Sequence, residues 1–173
     1  QDLVLVGFTL GVCIALRYGL DYPDEVKALV LMTVAMRPKE RPRSALELRL
    51  KAAENVETYQ KWLDLMRHNM MFIEPELRER LVECHRKVGP MSQHHDFTVI
   101  DQFDVRDRIH TLKPPLLLVR GADDPASPPE YEMETHRAVP GSQYLELSHA
   151  GHFPMAERPE EFNRAIDEFL ASR

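Results

Sequence analysis

The sequence has few cysteines and no excess of positive charge. Its 173 residues include only two cysteines, Cys13 and Cys84, and carry a formal net charge of −6. Two cysteines cannot form a framework of several disulfides, and both lie in apolar helical patterns that predict small buried side chains. The acidic balance argues against a surface that binds the phosphate backbone of nucleic acids. We therefore expect no nucleic-acid partner.

The chain also lacks a hydrophobic run long enough to cross a membrane. The uncharged stretch from Leu3 to Leu16 is shorter than the ~20 residues of a membrane span, and Gly7 and Gly11 interrupt it. No basic residues precede the stretch, as they would in a signal peptide. We expect a buried strand followed by a buried helix, no membrane partner and, by default, a cytoplasmic location.

Strands and helices alternate along both ends of the chain. Short apolar runs predict four strands at residues 3–6, 28–32, 116–119 and 144–147. The first three runs are continuously apolar, which is typical of parallel strands covered on both faces. Helices are predicted at residues 10–22, 129–138 and 159–171. This order predicts an α/β fold with a parallel sheet and flanking helices.

A long charged and methionine-rich insertion separates the second and third predicted strands. Apolar residues recur every three or four positions at 56–70 and 77–88, which predicts two helices of a cap or lid. Met66 and Met70 are candidates for a substrate pocket because methionine adapts to irregular shapes. The favoured alternative places them in the cap's own core. The predicted parts are core residues 1–34, cap residues 35–113 and core residues 114–173.

A hydroxyl lies at a glycine-flanked turn between the first predicted strand and the first helix. The stretch Gly7-Phe8-Thr9-Leu10-Gly11 has the position and spacing of a G-x-S-x-G nucleophile elbow, but threonine stands in place of serine. Glycines permit the sharp turn that lifts the central hydroxyl above the sheet. Thr9 is therefore the candidate nucleophile.

Two loops that follow later strands carry an acid and two histidines. Asp124 could orient an imidazole, although turn formation or helix capping is the commoner role of an aspartate in a proline-rich loop. The loop after the fourth strand contains His149 and His152. His152 is the preferred base because its place in the loop lets it reach back over the strand ends, and His149 is the second choice.

Several segments resemble the α/β-hydrolase superfamily. The likeness is carried by residues 7–11, 15–18, 22–31, 103–106, 115–119, 121–128 and 151–154. It covers both ends of the chain, is weak inside the predicted cap, and is nearest to small esterases, enol-lactonases and carbon–carbon bond hydrolases. The order hydroxyl, acid, histidine is also the chain order of the catalytic triad in that superfamily.

The resemblance implies hydrolysis of a small carboxylic ester or lactone. In that interpretation Thr9 attacks, His152 transfers the proton, Asp124 orients His152, and the Leu10 backbone N–H stabilises the oxyanion. Phe8 and Phe153, together with Met66 and Met70, are the candidate pocket residues. No metal or organic cofactor is implied, and no spacing of histidine, cysteine and acidic residues resembles a metal site.

Two departures from the superfamily leave a second interpretation open. By analogy, the chain supplies only the fifth to eighth strands of an eight-stranded sheet, so its first strand would present an unpaired apolar edge that favours self-association. The methyl group of Thr9 would crowd the elbow. The alternative is a catalytically silent homologue, or a truncated fragment, that binds a small ligand or a protein under the cap.

Overall fold

Four parallel strands form the centre of the molecule. The computed structural model describes residues 2–40 and 43–172. The strands are β1 (Leu3–Phe8), β2 (Val26–Met32), β3 (Leu116–Gly121) and β4 (Gln143–Leu147), and they lie side by side in that order. Every neighbouring pair is parallel. The predicted α/β class and all four predicted strands are confirmed, with each strand one or more residues longer than its apolar run.

Helices follow the strands as the sequence predicts. They are α1 (Leu10–Asp21), α6 (Pro129–Ala138), the short α7 (Pro154–Glu157) and α8 (Pro159–Ala171). Three of them begin with proline, whose fixed φ angle suits the first turn of a helix and whose missing N–H is not needed there. The helices predicted at residues 10–22, 129–138 and 159–171 are confirmed.

A helical segment, residues 43–102, lies between β2 and β3. It consists of α2 (Arg43–Glu54), α3 (Val56–His68), α4 (Pro75–Val88) and α5 (Pro90–Gln102). The sequence pattern predicted only α3 and α4. The other two helices reverse the usual pattern, since α2 buries Arg49 and exposes Leu50, whereas α5 buries Gln93 and exposes Val99. Apolar periodicity therefore could not reveal them.

Gln93 links three helices of this segment. Its amide oxygen accepts a hydrogen bond from Trp62 Nε1 at 3.0 Å. Its amide nitrogen donates to the Tyr59 hydroxyl at 3.1 Å and to the carbonyl of His85 at 2.9 Å. A buried amide is tolerated because its donors and its acceptor are all satisfied.

The sheet separates two apolar clusters. On one face, Leu29, Leu31 and Leu118 pack with Leu16 of α1. On the other face, alternate residues of the same strands pack against α8. Every residue of β3 and all but Lys27 of β2 are buried, which explains the continuously apolar runs at residues 28–32 and 116–119. Burial of each large apolar side chain stabilises the fold by about 1.5–3 kcal/mol.

The first strand forms an edge of the described sheet. Val6 of β1 is 54% exposed and Leu3 is 38% exposed. Within residues 2–40 and 43–172, β1 pairs only with β2. The described chain therefore has the apolar edge that the sequence led us to expect.

The prediction for the cysteines is wrong in one case. Cys13 is buried in α1, and burial raises the pKa of its thiol to about 11. Cys84 is exposed, because α4 turns Val82 inward and leaves Cys84 on its outer side. Both are free thiols.

No helix in the described part of the chain is long and apolar enough to cross a membrane.

Candidate active site

The carboxyl ends of the parallel strands open on a cavity of about 510 Å³. Phe8 and Thr9 at the end of β1 and Thr33 at the end of β2 form part of its wall. The loops after β3 and β4 contribute Ala126 and His152. The helical segment supplies further wall residues, which are Arg49, Trp62, Leu65, Met66, Asn69, His85, Val88, Gln93, Asp96, Phe97 and Ile100. The volume of the cavity is typical of sites that bind small molecules.

Thr9 occupies a strained turn between β1 and α1. Its backbone angles are φ 53° and ψ −108°, a region that a branched side chain rarely adopts. The turn brings the chain back on itself so closely that a Cβ atom added to Gly7 would lie 2.7 Å from the carbonyl oxygen of Gly11. Only glycine fits at position 7. Strain of this kind is concentrated at functional sites.

The hydroxyl of Thr9 is buried and has no hydrogen-bond partner. It makes no capping bond to α1. The first N–H groups of a helix have no partner within the helix, so the N–H of Leu10, the residue after Thr9, is free to donate to a ligand at the start of α1. The amide and the hydroxyl therefore lie together at the positive end of the α1 dipole.

Asp124 and His152 form a hydrogen-bonded pair beside the cavity. His152 Nδ1 lies 2.9 Å from one carboxylate oxygen of Asp124 and 3.0 Å from the other. The side chain of Asp124 is 1% exposed and that of His152 is 16% exposed. Since a carboxylate only accepts hydrogen bonds, Nδ1 carries the proton and Nε2 is left as the basic nitrogen.

The surroundings of Asp124 favour its ionised form. Burial alone would raise the pKa of its carboxyl. The hydrogen bond and the charge of His152 oppose that effect, and so do the backbone N–H groups of Ala126 and Ser127 at 2.8 and 3.2 Å. The pKa of Asp124 consequently lies below its ordinary value. An ionised Asp124 keeps the imidazole in one tautomer and orientation.

Two phenylalanines fix the ring of His152 above the end of β1. The Phe8 and His152 ring centroids lie 5.3 Å apart in an edge-to-face arrangement, and Phe153 lies 5.4 Å from His152. Phe8 directly precedes Thr9. The imidazole therefore lies over the strand end that carries the hydroxyl.

The structure places most of the predicted site residues around this cavity. Phe8, Thr9, Leu10, Met66, His152 and Phe153 line it. Asp124 lies behind His152. Met70 is not on the wall but fully buried among Leu63, Ile73 and Val82, so its pocket role is wrong and the core interpretation describes it correctly. His149, the second choice for the base, is exposed and also absent from the wall.

Thr33 is a site residue that the sequence analysis missed. It has a positive φ of 58°, is 6% exposed, and its hydroxyl has no hydrogen-bond partner. Phe8 pairs with Met32 in the sheet, so Thr33 follows β2 at the level where Thr9 follows β1. The available signal was a threonine directly after the second predicted strand, with Thr9 three residues beyond the end of the first.

The described part of the chain contains no cluster of side chains suited to bind a metal ion. Among residues 2–40 and 43–172, no three histidine, cysteine, aspartate or glutamate side chains are grouped so as to hold a metal ion.

A parallel α/β sheet with a strained turn after β1 and an acid–histidine pair at its carboxyl edge defines the class of α/β hydrolases. The profile of the alpha/beta hydrolase family matches residues 1–165. The chain belongs to this family.

The comparisons with individual proteins agree with that class. The AB hydrolase superfamily protein YisY of Bacillus subtilis is 24% identical, and the match covers 99% of this chain and 68% of YisY. A thermophilic esterase from Thermogutta terrifontis is 27% identical with a TM-score of 0.83, over 99% of this chain and 65% of the esterase chain. The chain thus spans about two thirds of the length of these relatives.

A third match shows the fold alone. The enol-lactonase from Burkholderia xenovorans LB400 is 22% identical, with a TM-score of 0.80 over 98% of this chain and 66% of the enol-lactonase chain.

Proposed function

We propose that the chain carries the nucleophile, base and acid of a hydrolase for small carboxylic esters or lactones. The observation that carries this proposal is the pairing of His152 Nδ1 with Asp124 at 2.9 Å, next to the strained turn of Thr9 on the same cavity. Thr9 is the nucleophile, His152 the general base and Asp124 its orienting acid. The esterase from Thermogutta terrifontis supports an ester as substrate.

The reaction proceeds through an acyl-enzyme. Thr9 Oγ1 attacks the carbonyl carbon while His152 Nε2 takes the hydroxyl proton. The C–O bond to the alcohol breaks, and the imidazolium gives its proton to the departing alkoxide. A water molecule, activated by His152, then hydrolyses the Thr9 ester and releases the acid. In a lactone the departing alkoxide belongs to the same molecule as the acyl group.

The first turn of α1 stabilises the oxyanion. The Leu10 N–H belongs to the residue after the nucleophile, where α/β hydrolases place one of their oxyanion donors. Loss of a single donor of this kind costs on the order of 10²–10³ in rate. The helix dipole adds to the hydrogen bond at the same position.

The wall of the cavity favours a substrate with an apolar or aromatic part. Its apolar side chains include Phe8, Trp62, Met66, Phe97 and Phe153. Residues 35–113 form the lid in this proposal, because α3, α4 and α5 supply a large part of that wall. Arg49, on the same wall, is stacked over Phe97 and paired with Asp101.

Ester hydrolysis tests the proposal directly. We expect p-nitrophenyl acetate and butyrate to be turned over, with kcat falling on the order of 10³-fold or more in Asp124→Asn and His152→Ala. His149→Ala is the matched control, because His149 is exposed and does not line the cavity, and it should keep full activity. Equal rates in the parent, Asp124→Asn and His152→Ala would contradict the proposal.

One observation favours a second function, a catalytically silent homologue that binds a ligand in the cavity. Thr9 Oγ1 is buried without a hydrogen bond to any group, His152 included. The Thr9→Ser variant separates the two functions, since serine keeps the hydroxyl and removes the methyl group. Turnover in the parent supports the hydrolase, whereas turnover that appears only in Thr9→Ser supports the silent homologue.

A further inference from the structure

Glu157 is a buried carboxylate that the proposed triad does not use. It ends α7, five residues after His152, and is 8% exposed. Burial raises the pKa of its carboxyl. Hydrogen bonds from backbone N–H groups lower the pKa in part, and the charge of Asp124 raises it further. A carboxyl held away from water is retained only where its oxygens have partners.

The two oxygens of Glu157 bind different parts of the chain. Oε2 accepts a hydrogen bond from the backbone N–H of Gly151, the residue before His152. Oε1 accepts from the N–H of Phe72 at 3.4 Å, in the loop between α3 and α4. One side chain therefore joins the His152 loop to the helical segment.

The His152 loop is confined on two sides. A Cβ atom added to Gly151 would lie 3.2 Å from Glu157 Oε1 and 3.6 Å from the carbonyl oxygen of Asn69. On the side of the sheet, a Cβ added to Gly121 would lie 2.2 Å from the carbonyl oxygens of Ala150 and Gly151. The loop backbone is thus packed between the end of β3 and the carboxylate of Glu157.

We propose that Glu157 is a positioning residue for His152, and that the same carboxylate fastens the loop between α3 and α4 to the His152 loop. The inference rests on the proposed function, in which His152 is the base. Asn69 lies on the cavity wall and next to Gly151, so the shape of the cavity and the orientation of the imidazole depend on the same contact.

The test is Glu157→Gln, which keeps the size of the side chain but replaces one acceptor oxygen with a donor. Glu160→Gln is the matched control, since Glu160 is exposed one turn further on and the charge change is identical. NMR of the histidine ring nitrogens reports the bond from His152 Nδ1 to Asp124 without any substrate. We expect exchange of the Nδ1 proton to become about tenfold faster in Glu157→Gln and to stay unchanged in the control.

Kinetics with p-nitrophenyl butyrate separate this inference from the proposed function. A loss of kcat in Glu157→Gln that accompanies the NMR change supports the positioning role. An NMR change in a chain that turns over no ester contradicts only the proposed function. Unchanged exchange of the Nδ1 proton in a folded Glu157→Gln chain overturns the positioning role.

A measurement on the parent chain serves where the variant does not fold. Hydrogen exchange in dilute urea should show the amides of Gly151 and Phe72 protected and opening together, because both donate to Glu157. Rapid exchange at Phe72 beside a protected Gly151 would contradict the link to the helical segment.

Discussion

Two threonines at the ends of neighbouring strands take backbone angles that their branched side chains disfavour. Thr9 and Thr33 have φ angles of 53° and 58°, and both hydroxyls are buried without partners. A buried hydroxyl without a partner costs about 1–3 kcal/mol, so both residues reduce the stability of the fold. The surrounding sheet holds them in place. Thr9 was predictable from its flanking glycines, whereas the position of Thr33 after a strand gave no indication of its backbone strain, since no glycine flanks it.

Thr33→Val should stabilise the chain. Valine has the same shape and branching but removes the unpartnered hydroxyl, so we expect the free energy of unfolding to rise by about 1 kcal/mol. Urea denaturation measures the change. Thr135→Val is the matched control, because the buried Thr135 hydroxyl donates to the Tyr131 carbonyl at 2.9 Å and its loss should destabilise. A decrease in Thr33→Val equal to that in the control would contradict the assignment.

Asp124 makes stability depend on pH in the acidic range. Because its pKa is lower in the folded chain than in the unfolded chain, its stabilisation is present above roughly pH 4 and is lost as pH falls through the folded value. The difference in unfolding free energy between the parent and Asp124→Asn should therefore shrink on going from about pH 6 to about pH 3. Urea midpoints across that range measure it. A difference that stays constant would refute the depressed pKa.

At the level of elements, the turn from β1 into α1 depends on one glycine more than on the other. The position of the elbow and the alternation of strands and helices were predictable, because both depend on local patterns of apolar residues and glycines. The helices α2 and α5 were not, because buried Arg49 and Gln93 are stabilised by tertiary partners that the sequence does not display.

Gly7→Ala should disrupt the elbow, whereas Gly11→Ala should not. A Cβ at position 7 would lie 2.7 Å from a backbone oxygen, which neither segment can relieve without moving. At position 11, inside α1, an added Cβ meets nothing within 4 Å, so alanine should stabilise the helix by roughly 0.5–1 kcal/mol. Thermal unfolding compares the two variants. Equal melting temperatures would mean that the close approach at Gly7 is not maintained in solution.

At the level of the whole molecule, the described sheet ends in an apolar edge at β1. We propose that this edge mediates self-association, because unpaired strand edges with exposed apolar residues pair readily with other strands. Val6→Lys should raise the monomer fraction in sedimentation velocity, since a lysine on an edge strand opposes pairing. A parent chain that stays monomeric at high concentration would rule out this role for β1.

The proposed function requires that three side chains from distant parts of the chain converge at one site. Treatment with a p-nitrophenyl phosphonate, followed by peptide mass spectrometry, tests it most directly, because the reagent labels only a hydroxyl activated by a neighbouring base. We expect a phosphonyl adduct on residue 9 in the parent or in Thr9→Ser, and its loss in His152→Ala. No adduct in either chain, or labelling of residue 9 that persists in His152→Ala, would contradict this convergence.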